Sequence, residues 1–496
     1  MIKSSVKVNF AYSMIYQILQ MILPLLTIPY IARVIGAEGI GIYSYTYSIV
    51  NYFLLVAMLG INNYGNRSIA RARDNCKKKN EIFSSIYTLQ ILTSCIAIVL
   101  YSAYLFLLVE NFRLIATIQL VYLLSAIFDI NWLFFGLEEF RVTVSSKVLI
   151  KIITVICIFL FVKNESDLWI YTLIMSISFF AGQCFLWFFV RRHIRFVRVS
   201  FKSVLVHIKP ICILFFPVMA TSIYRVMDKI MLGTLSSMTQ VGLYENAEKI
   251  IMVSLGVISA LGMVMLPRMS NLAANGRIEE SKKYLIKSMQ MAMFMGCAIT
   301  FGIVSVANEF TPIFFGKQFT GCYRIMIGLA PTVLFIAWAN VIRTQYLIPN
   351  AKDKIYIISV CLGATLNVVV NGLLIPSMGA MGAVVGTIIT EVAVATYQTM
   401  KVRKELDVGI YIRNSSIFFI SGVVMFVIVR CIATIMSVSI LALIIEIVAG
   451  ALIYLSITMA YFIRTENEMF LDIKLKISLK LKMYAGQARF DDKVNG

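Results

Sequence analysis

Apolar runs of about twenty residues recur along almost the whole chain, and short polar, mostly basic segments separate them. A helix of that length crosses a hydrocarbon core of about 30 Å. Fourteen such spans are predicted, at about 10–32, 40–60, 82–109, 114–135, 144–162, 168–190, 211–233, 241–266, 285–307, 324–345, 355–375, 380–400, 415–433 and 438–462. The pattern implies an all-α, polytopic integral membrane protein with no large soluble domain between spans. The first run, Asn9 to Ile35, contains Pro24 and Pro29 and ends without a small-residue cleavage site. It reads as a retained helix, not a signal peptide. Pro217 and Pro331 interrupt two later spans, where neighbouring helices or cavity water must satisfy the freed carbonyls. "GAMGAVVG", with Gly379, Gly382 and Gly386, reads as a close helix contact rather than a phosphate loop.

Two stretches match each other. After the first span the chain reads "RVIGAEGIGIYSYTYSIV", and after the seventh "IMLGTLSSMTQVGLYENAEKI". Each has an apolar-Gly helix end, a short turn, and Gly-apolar-Tyr opening the next span, at Gly41–Tyr43 and Gly242–Tyr244. Both copies occupy the same topological position, so the repeat is parallel, as in transporters built from two six-helix halves. The expected organisation is two pseudo-symmetric lobes, 1–200 and 201–405, followed by two further helices at 406–463 and a basic tail at 464–496. The loop "RRHIRFVRVSFKSVLVHIK" between the lobes alternates apolar and basic residues, so it is expected to lie on the membrane surface.

Composition agrees with the pattern. Hydrophobic residues make up 60% of the chain and charged residues 14%, against about 25% charged in a soluble domain. The net charge of +20 at first points to nucleic acid, but its distribution argues otherwise. With the N-terminus inside, 36 Lys and Arg fall on the cytoplasmic segments and span ends, six on the outer ones, and three inside spans. That is the positive-inside bias, and it puts both termini in the cytoplasm. Membrane lipid, not nucleic acid, is the neighbour expected for these loops. The nine Cys form no CxxC pair, and the only His are His193 and His207, too few for a metal site or a His proton relay. The chain has no GxxxxGK[ST], GxSxG, HExxH or SxxK, and its adjacent acids Asp491–Asp492 lie in the polar tail. An ATP-driven pump is therefore disfavoured, as is an enzyme, and no cofactor or metal is expected.

"TSIYRVMDKIMLGTL" departs from the apolar pattern by placing Arg225, Asp228 and Lys229 inside the seventh span. Each such residue costs roughly 2.5–3.5 kcal/mol at mid-membrane on insertion scales. The three share one face by i, i+3, i+4 spacing, and the eighth span brings Glu245, Glu248 and Lys249 to comparable depth. Two readings stand: a structural ion network with Lys229 reaching outward, or the wall of a polar cavity whose pairs exchange during transport. Glu391, Glu446 and Asp129 are more isolated. Each reads either as a proton or sodium site or as an acid hydrogen-bonded to a neighbouring helix.

"NWLFFGLEEF", "DKIMLG" with "VGLYENAEKI", "MLPRMS", "IRTQYLIP" and "NVVVNGLLIPSMGAMGAVVGT" occur in an order that resembles the bacterial polysaccharide-biosynthesis (Wzx-type) flippases. These belong to the multidrug/oligosaccharidyl-lipid/polysaccharide exporter superfamily. The resemblance runs from about Asn9 to past Lys401. It implies two six-helix lobes around a cavity, alternating access, and a polyprenyl-pyrophosphate oligosaccharide as substrate. Partners in the same pathway would be a polysaccharide polymerase and glycosyltransferases. Relatives have cationic cavities, whereas the charges of spans seven and eight cancel here, so Arg33, Arg67 and Arg343 are expected to supplement them. The alternatives are a lipid II flippase, a multidrug exporter of the same superfamily, and a membrane glycan polymerase or ligase. The short outer loops count against the last.

Overall fold

A computed structural model describes residues 6–465. The first five residues and nearly all of the expected basic tail, with Asp491–Asp492, lie outside the described residues. The regular elements among those described are all helices, with no strand. In chain order the helices are α1 (Val6–Met58), α2 (Ile61–Ala72), α3 (Cys76–Leu107), α4 (Arg113–Phe128), α5 (Asn131–Gly136), α6 (Phe140–Phe161), α7 (Leu168–Val190), α8 (Phe201–Leu205) and α9 (Ile208–Leu235). They continue as α10 (Met238–Ala274), α11 (Ile278–Phe314), α12 (Cys322–Leu329), α13 (Thr332–Ile342), α14 (Asp353–Met378), α15 (Ala380–Val402), α16 (Val408–Ile435) and α17 (Ile440–Arg464).

Thirteen helical runs among the described residues are long and apolar enough to cross a membrane. The first, Leu23–Ala72, has 50 residues, about 75 Å of helix, or more than two hydrocarbon thicknesses. Gly36 divides it: its φ of 74° lies in the left-handed region that only glycine enters freely. The two legs correspond to the first two predicted spans, which brings the crossings to fourteen.

Two of the predicted spans are broken. The fourth stops at Asp129 and restarts as α5. The tenth passes from α12 to α13 at Pro331 and then through a π-helical turn at Arg343–Leu347. Such turns are rare and occur mostly at functional positions. The loop after α7 is irregular. It is tied to α3 by Arg195 N–H donating to Asn80 Oδ1 (3.1 Å) and Val197 N–H donating to Ser84 Oγ (3.1 Å).

The chain divides into two compact units, and the division falls inside helices. One unit holds the described residues as far as Gly256, with Thr311–Leu329 and Tyr356–Val394. Its packing centres on Trp132, Phe83, Phe134 and Ile86, and on Tyr101, Tyr122 and Val50. The other holds Val257–Phe310, Ala330–Ile355 and the described residues from Ala395, around Phe418, Tyr454 and Met425. Lipid supplies little hydrophobic drive between helices, so close backbone approach matters more. A Cβ on Gly65 would meet the Trp132 ring at 2.6 Å, and one on Gly422 the Phe301 ring at 2.1 Å.

Candidate functional site

The repeat read from sequence meets itself within the first unit. A Cβ on Gly41 would lie 1.7 Å from the Met238 carbonyl oxygen, and one on Gly242 would lie 1.9 Å from that of Ala37. Equivalent glycines therefore cross backbone to backbone, reciprocally. One turn further along, Ser44 Oγ donates to Glu245 Oε2 at 2.9 Å, across the same offset of 201 residues.

Glu245 opens a ladder of charges. Lys229 Nζ lies 2.7 Å from Glu245 Oε2 and 2.8 Å from Glu248 Oε2. Lys249 Nζ lies 3.1 Å from Glu245 Oε1, four residues along the same helix. Two ammonium groups and two carboxylates cancel. Their burial differs: the Lys229 side chain is 17% exposed and held by two carboxylates, while Lys249 is 35% exposed and holds one. One of the two sequence readings had Lys229 reaching outward, whereas in the structure it is the more enclosed of the two lysines. The reason is register: Lys229 on α9 faces the groove between positions 245 and 248 of α10, which are i, i+3 neighbours.

Asp228 takes no part in the ladder, although it precedes Lys229. It is 2% exposed, within a cage of uncharged donors. Asn367 Nδ2 and Asn371 Nδ2 donate to Oδ1 at 2.9 and 2.6 Å. The Tyr244 hydroxyl donates to Oδ2 at 2.8 Å, and Thr387 Oγ1 lies 3.1 Å from the same oxygen. The two amides come from positions one turn apart on α14. The close seat of Asn371 depends on Gly386, where a Cβ would come 2.0 Å from Asn371 Oδ1. The amide oxygens of Asn367 and Asn371 are buried and take no hydrogen bond. Turning the amides over would surround one point with carboxylate, amide and hydroxyl oxygens, a ligand set suited to a hard cation.

The remaining residues singled out from sequence are dispersed. Arg33 is exposed near the α1 kink, where Nη2 donates to the Ile313 carbonyl at 2.6 Å. Arg67 is exposed on α2, and Arg225 is exposed on α9 one turn before Asp228. Arg343 opens the π-helical turn in the second unit, with Nη2 donating to Asn340 Oδ1 at 2.7 Å.

Asp129 shapes the α4–α5 break: its Oδ1 accepts from Asn131 N–H (3.0 Å) and Asn131 Nδ2 (2.6 Å). Glu391 is buried on α15, one turn beyond Thr387. Glu446 is buried on α17, close to Glu309 and Arg430. Arg430 Nη1 donates to both carboxylate oxygens of Glu309 at 2.9 Å, while Glu446 Oε2 accepts no hydrogen bond.

Sequence reasoning missed Ser44, Tyr244, Asn367, Asn371, Thr387 and the Glu309–Arg430 pair. Two signals for them were on the page. Ser44 and Glu245 are separated by the repeat offset, and "NVVVN" puts two amides on one face of an apolar helix.

Residues 6–273 match the family described as polysaccharide biosynthesis protein. Two curated relatives are named putative O-antigen transporter. The one from Shigella dysenteriae is 27% identical over 77% of this chain and 96% of its own length. The one from Escherichia coli (strain K12) is 24% identical over 81% of this chain and 97% of its own length. Among solved structures, a lipid II flippase, MurJ, in an inward closed conformation superposes with a TM-score of 0.74. It is 15% identical, over 92% of this chain and all of the other, a likeness of fold.

Proposed function

The chain belongs to the polysaccharide biosynthesis protein family, and from that premise we propose that it flips polyprenyl-pyrophosphate-linked oligosaccharides. The cargo is a repeat unit for capsule, exopolysaccharide or cell-wall polysaccharide, carried from the inner to the outer leaflet of the bacterial cytoplasmic membrane. Both termini face the cytoplasm, and the α1 kink at Gly36 faces outward. The two lobes, 1–200 and 201–405, alternate access, and the role is transport rather than catalysis. A polymerase and glycosyltransferases of the same pathway supply and consume the cargo.

The observation that carries the reading is the ladder at the meeting of the two repeats. A bare pyrophosphate cannot enter hydrocarbon, because unpaired buried charge is far too costly. Lys249 is a partly exposed ammonium with a single carboxylate partner, so it can exchange that partner for a phosphate oxygen. Lys229 stays paired with Glu245 and Glu248 while it does so. Arg33, Arg67, Arg225 and Arg343 contribute along the route.

Net export in a chain without an ATP motif draws on an ion gradient or on consumption of the flipped lipid outside. Asp228 is a better candidate than Glu391, Glu446 or Asp129 for coupling to a proton or sodium ion, because it is a buried carboxylate whose two amide partners have unbonded oxygens to turn inward. The test is reconstitution in liposomes with lipid-linked oligosaccharide. Lys249→Met should slow flipping at least tenfold while leaving folded protein, and a normal rate in that variant would remove the route assigned here.

A further inference from the structure

At the Gly36 end of the first unit, a cavity of about 270 Å³ lies beside the crossing of the two repeats. Its walls carry Tyr45, Tyr101 and Tyr104, and Glu110, Asn111 and Phe112 of the α3–α4 turn stand at its rim. No described residue lining it is basic. Arg113, the next residue in the chain, is turned away: Nη2 donates to the Phe106 carbonyl at 3.0 Å, and Nε to that of Leu105 at 3.3 Å. The rim is held in an unusual shape. Phe112 has a φ of 58°, a left-handed conformation that costs a bulky residue free energy and persists where surroundings enforce it. The Tyr45 ring is seated on Gly233, where a Cβ would come 2.2 Å from it.

We infer that this cavity is a glycan subsite, which binds a sugar ring of the transported oligosaccharide on the outer side. The inference rests on the flippase reading above and adds a place for the part of the cargo that the ladder does not address. Phosphate is excluded by the acidic rim and the absence of a lining cation. A polyprenyl chain would want an apolar lining without Glu110 and Asn111. A sugar ring fits both halves of the site: tyrosine faces meet its apolar C–H surface, while a carboxylate, an amide and hydroxyl groups meet its hydroxyls. The volume lies just under the range of about 300–1,000 Å³ for small-molecule sites, so the cavity takes one ring or two, not a whole repeat unit.

The test compares two cargoes in proteoliposomes: polyprenyl-pyrophosphate bearing one sugar, and the same carrier bearing the complete repeat unit extracted from the host strain. Tyr104→Ala should slow the complete unit at least fivefold and the single-sugar lipid less than twofold. Tyr104→Phe, which keeps the ring face, should restore the rate, and Glu110→Gln should give a smaller loss of the same kind. Equal slowing of both cargoes, or of neither, overturns the subsite. A wild type that moves neither cargo overturns the flippase reading, and the subsite falls with it. If wild type moves both and Tyr104→Ala is unchanged, only the subsite is lost.

Discussion

Asp228 and Lys229 are consecutive, both are charged residue types inside one apolar helix, and they are stabilised in opposite ways. Asp228 is enclosed by two amides and two hydroxyls that bring no formal charge. Lys229 is clamped by two carboxylates and tied through Glu245 to Lys249. A neutral cage can change occupancy by adding or losing one small cation while its donors turn. A charge ladder resists loss of a member, because each removal strands a buried opposite charge. Only a member with spare exposure, Lys249, can trade partners. In the function proposed above the two residues serve separate tasks along α9: Asp228 would answer to an ion, and the ladder to a large anionic head group.

Removing the clamp is the strongest way to break this comparison. Lys229→Met takes from Glu248 the lysine that clamps it and leaves Glu245 to Lys249 alone, and loss of one partner of a buried pair costs about 3–5 kcal/mol. Little folded protein should survive detergent extraction, by fluorescence-detected gel filtration. Lys249→Met should give a near-normal peak, and equal yields in the two variants would erase the distinction. Next in size is the crossing of the repeats. Gly242→Ala forces a methyl group against the Ala37 carbonyl, so flipping should fall at least tenfold. An unchanged rate would mean that the crossing opens freely.

Asp228→Asn sharpens the other half of the comparison. The amide is close in size, so folding should persist, while stimulation of flipping by an imposed proton or sodium gradient disappears. Glu391→Gln should retain most of that stimulation, and the opposite ranking would return the coupling role to Glu391. The smallest effect is expected at Glu405, outside the apolar helical runs and 47% exposed in its side chain. Lys352 and Tyr346 donate to its carboxylate and hold its pKa below the usual value of 4.5. A depressed carboxyl stabilises the fold above that value, and the contribution is lost as pH falls through the lower, folded value. In thermal melts, wild type should exceed Glu405→Gln at pH 7 by less than about 1 kcal/mol, and the gap should narrow below the usual carboxyl value and close once the pH is below the depressed one.

Much of this was legible in the sequence. Apolar runs of membrane length give the spans, and the Gly-apolar-Tyr repeat marks the two stretches involved, although that their glycines cross backbone to backbone was not read from it. The ladder residues were visible as charges where charge is costly. Their pairing was not visible. Whether Lys229 or Lys249 is the better compensated depends on the rotation of α9 against α10, which no spacing within one helix reports. Asp228 was grouped with the ladder because it shares a face with Lys229. Three of the four members of its cage come from α14 and α15, about 140–160 residues away, and were not assembled from spacing alone. The break at Asp129 was missed because the surrounding residues are as apolar as any continuous span, and a single acid there ends the helix by accepting from Asn131.

The most direct measurement is flipping itself. Wild type and Lys249→Met are reconstituted at equal protein in liposomes, with lipid-linked oligosaccharide initially confined to one leaflet. Its arrival in the other leaflet is followed by accessibility to an added glycosidase or lectin. The account expects wild type to move the lipid to the far leaflet and Lys249→Met to do so at least ten times more slowly, from protein that is equally folded. Transport of cationic dyes without movement of the glycolipid, or equal rates in the two proteins, would contradict it.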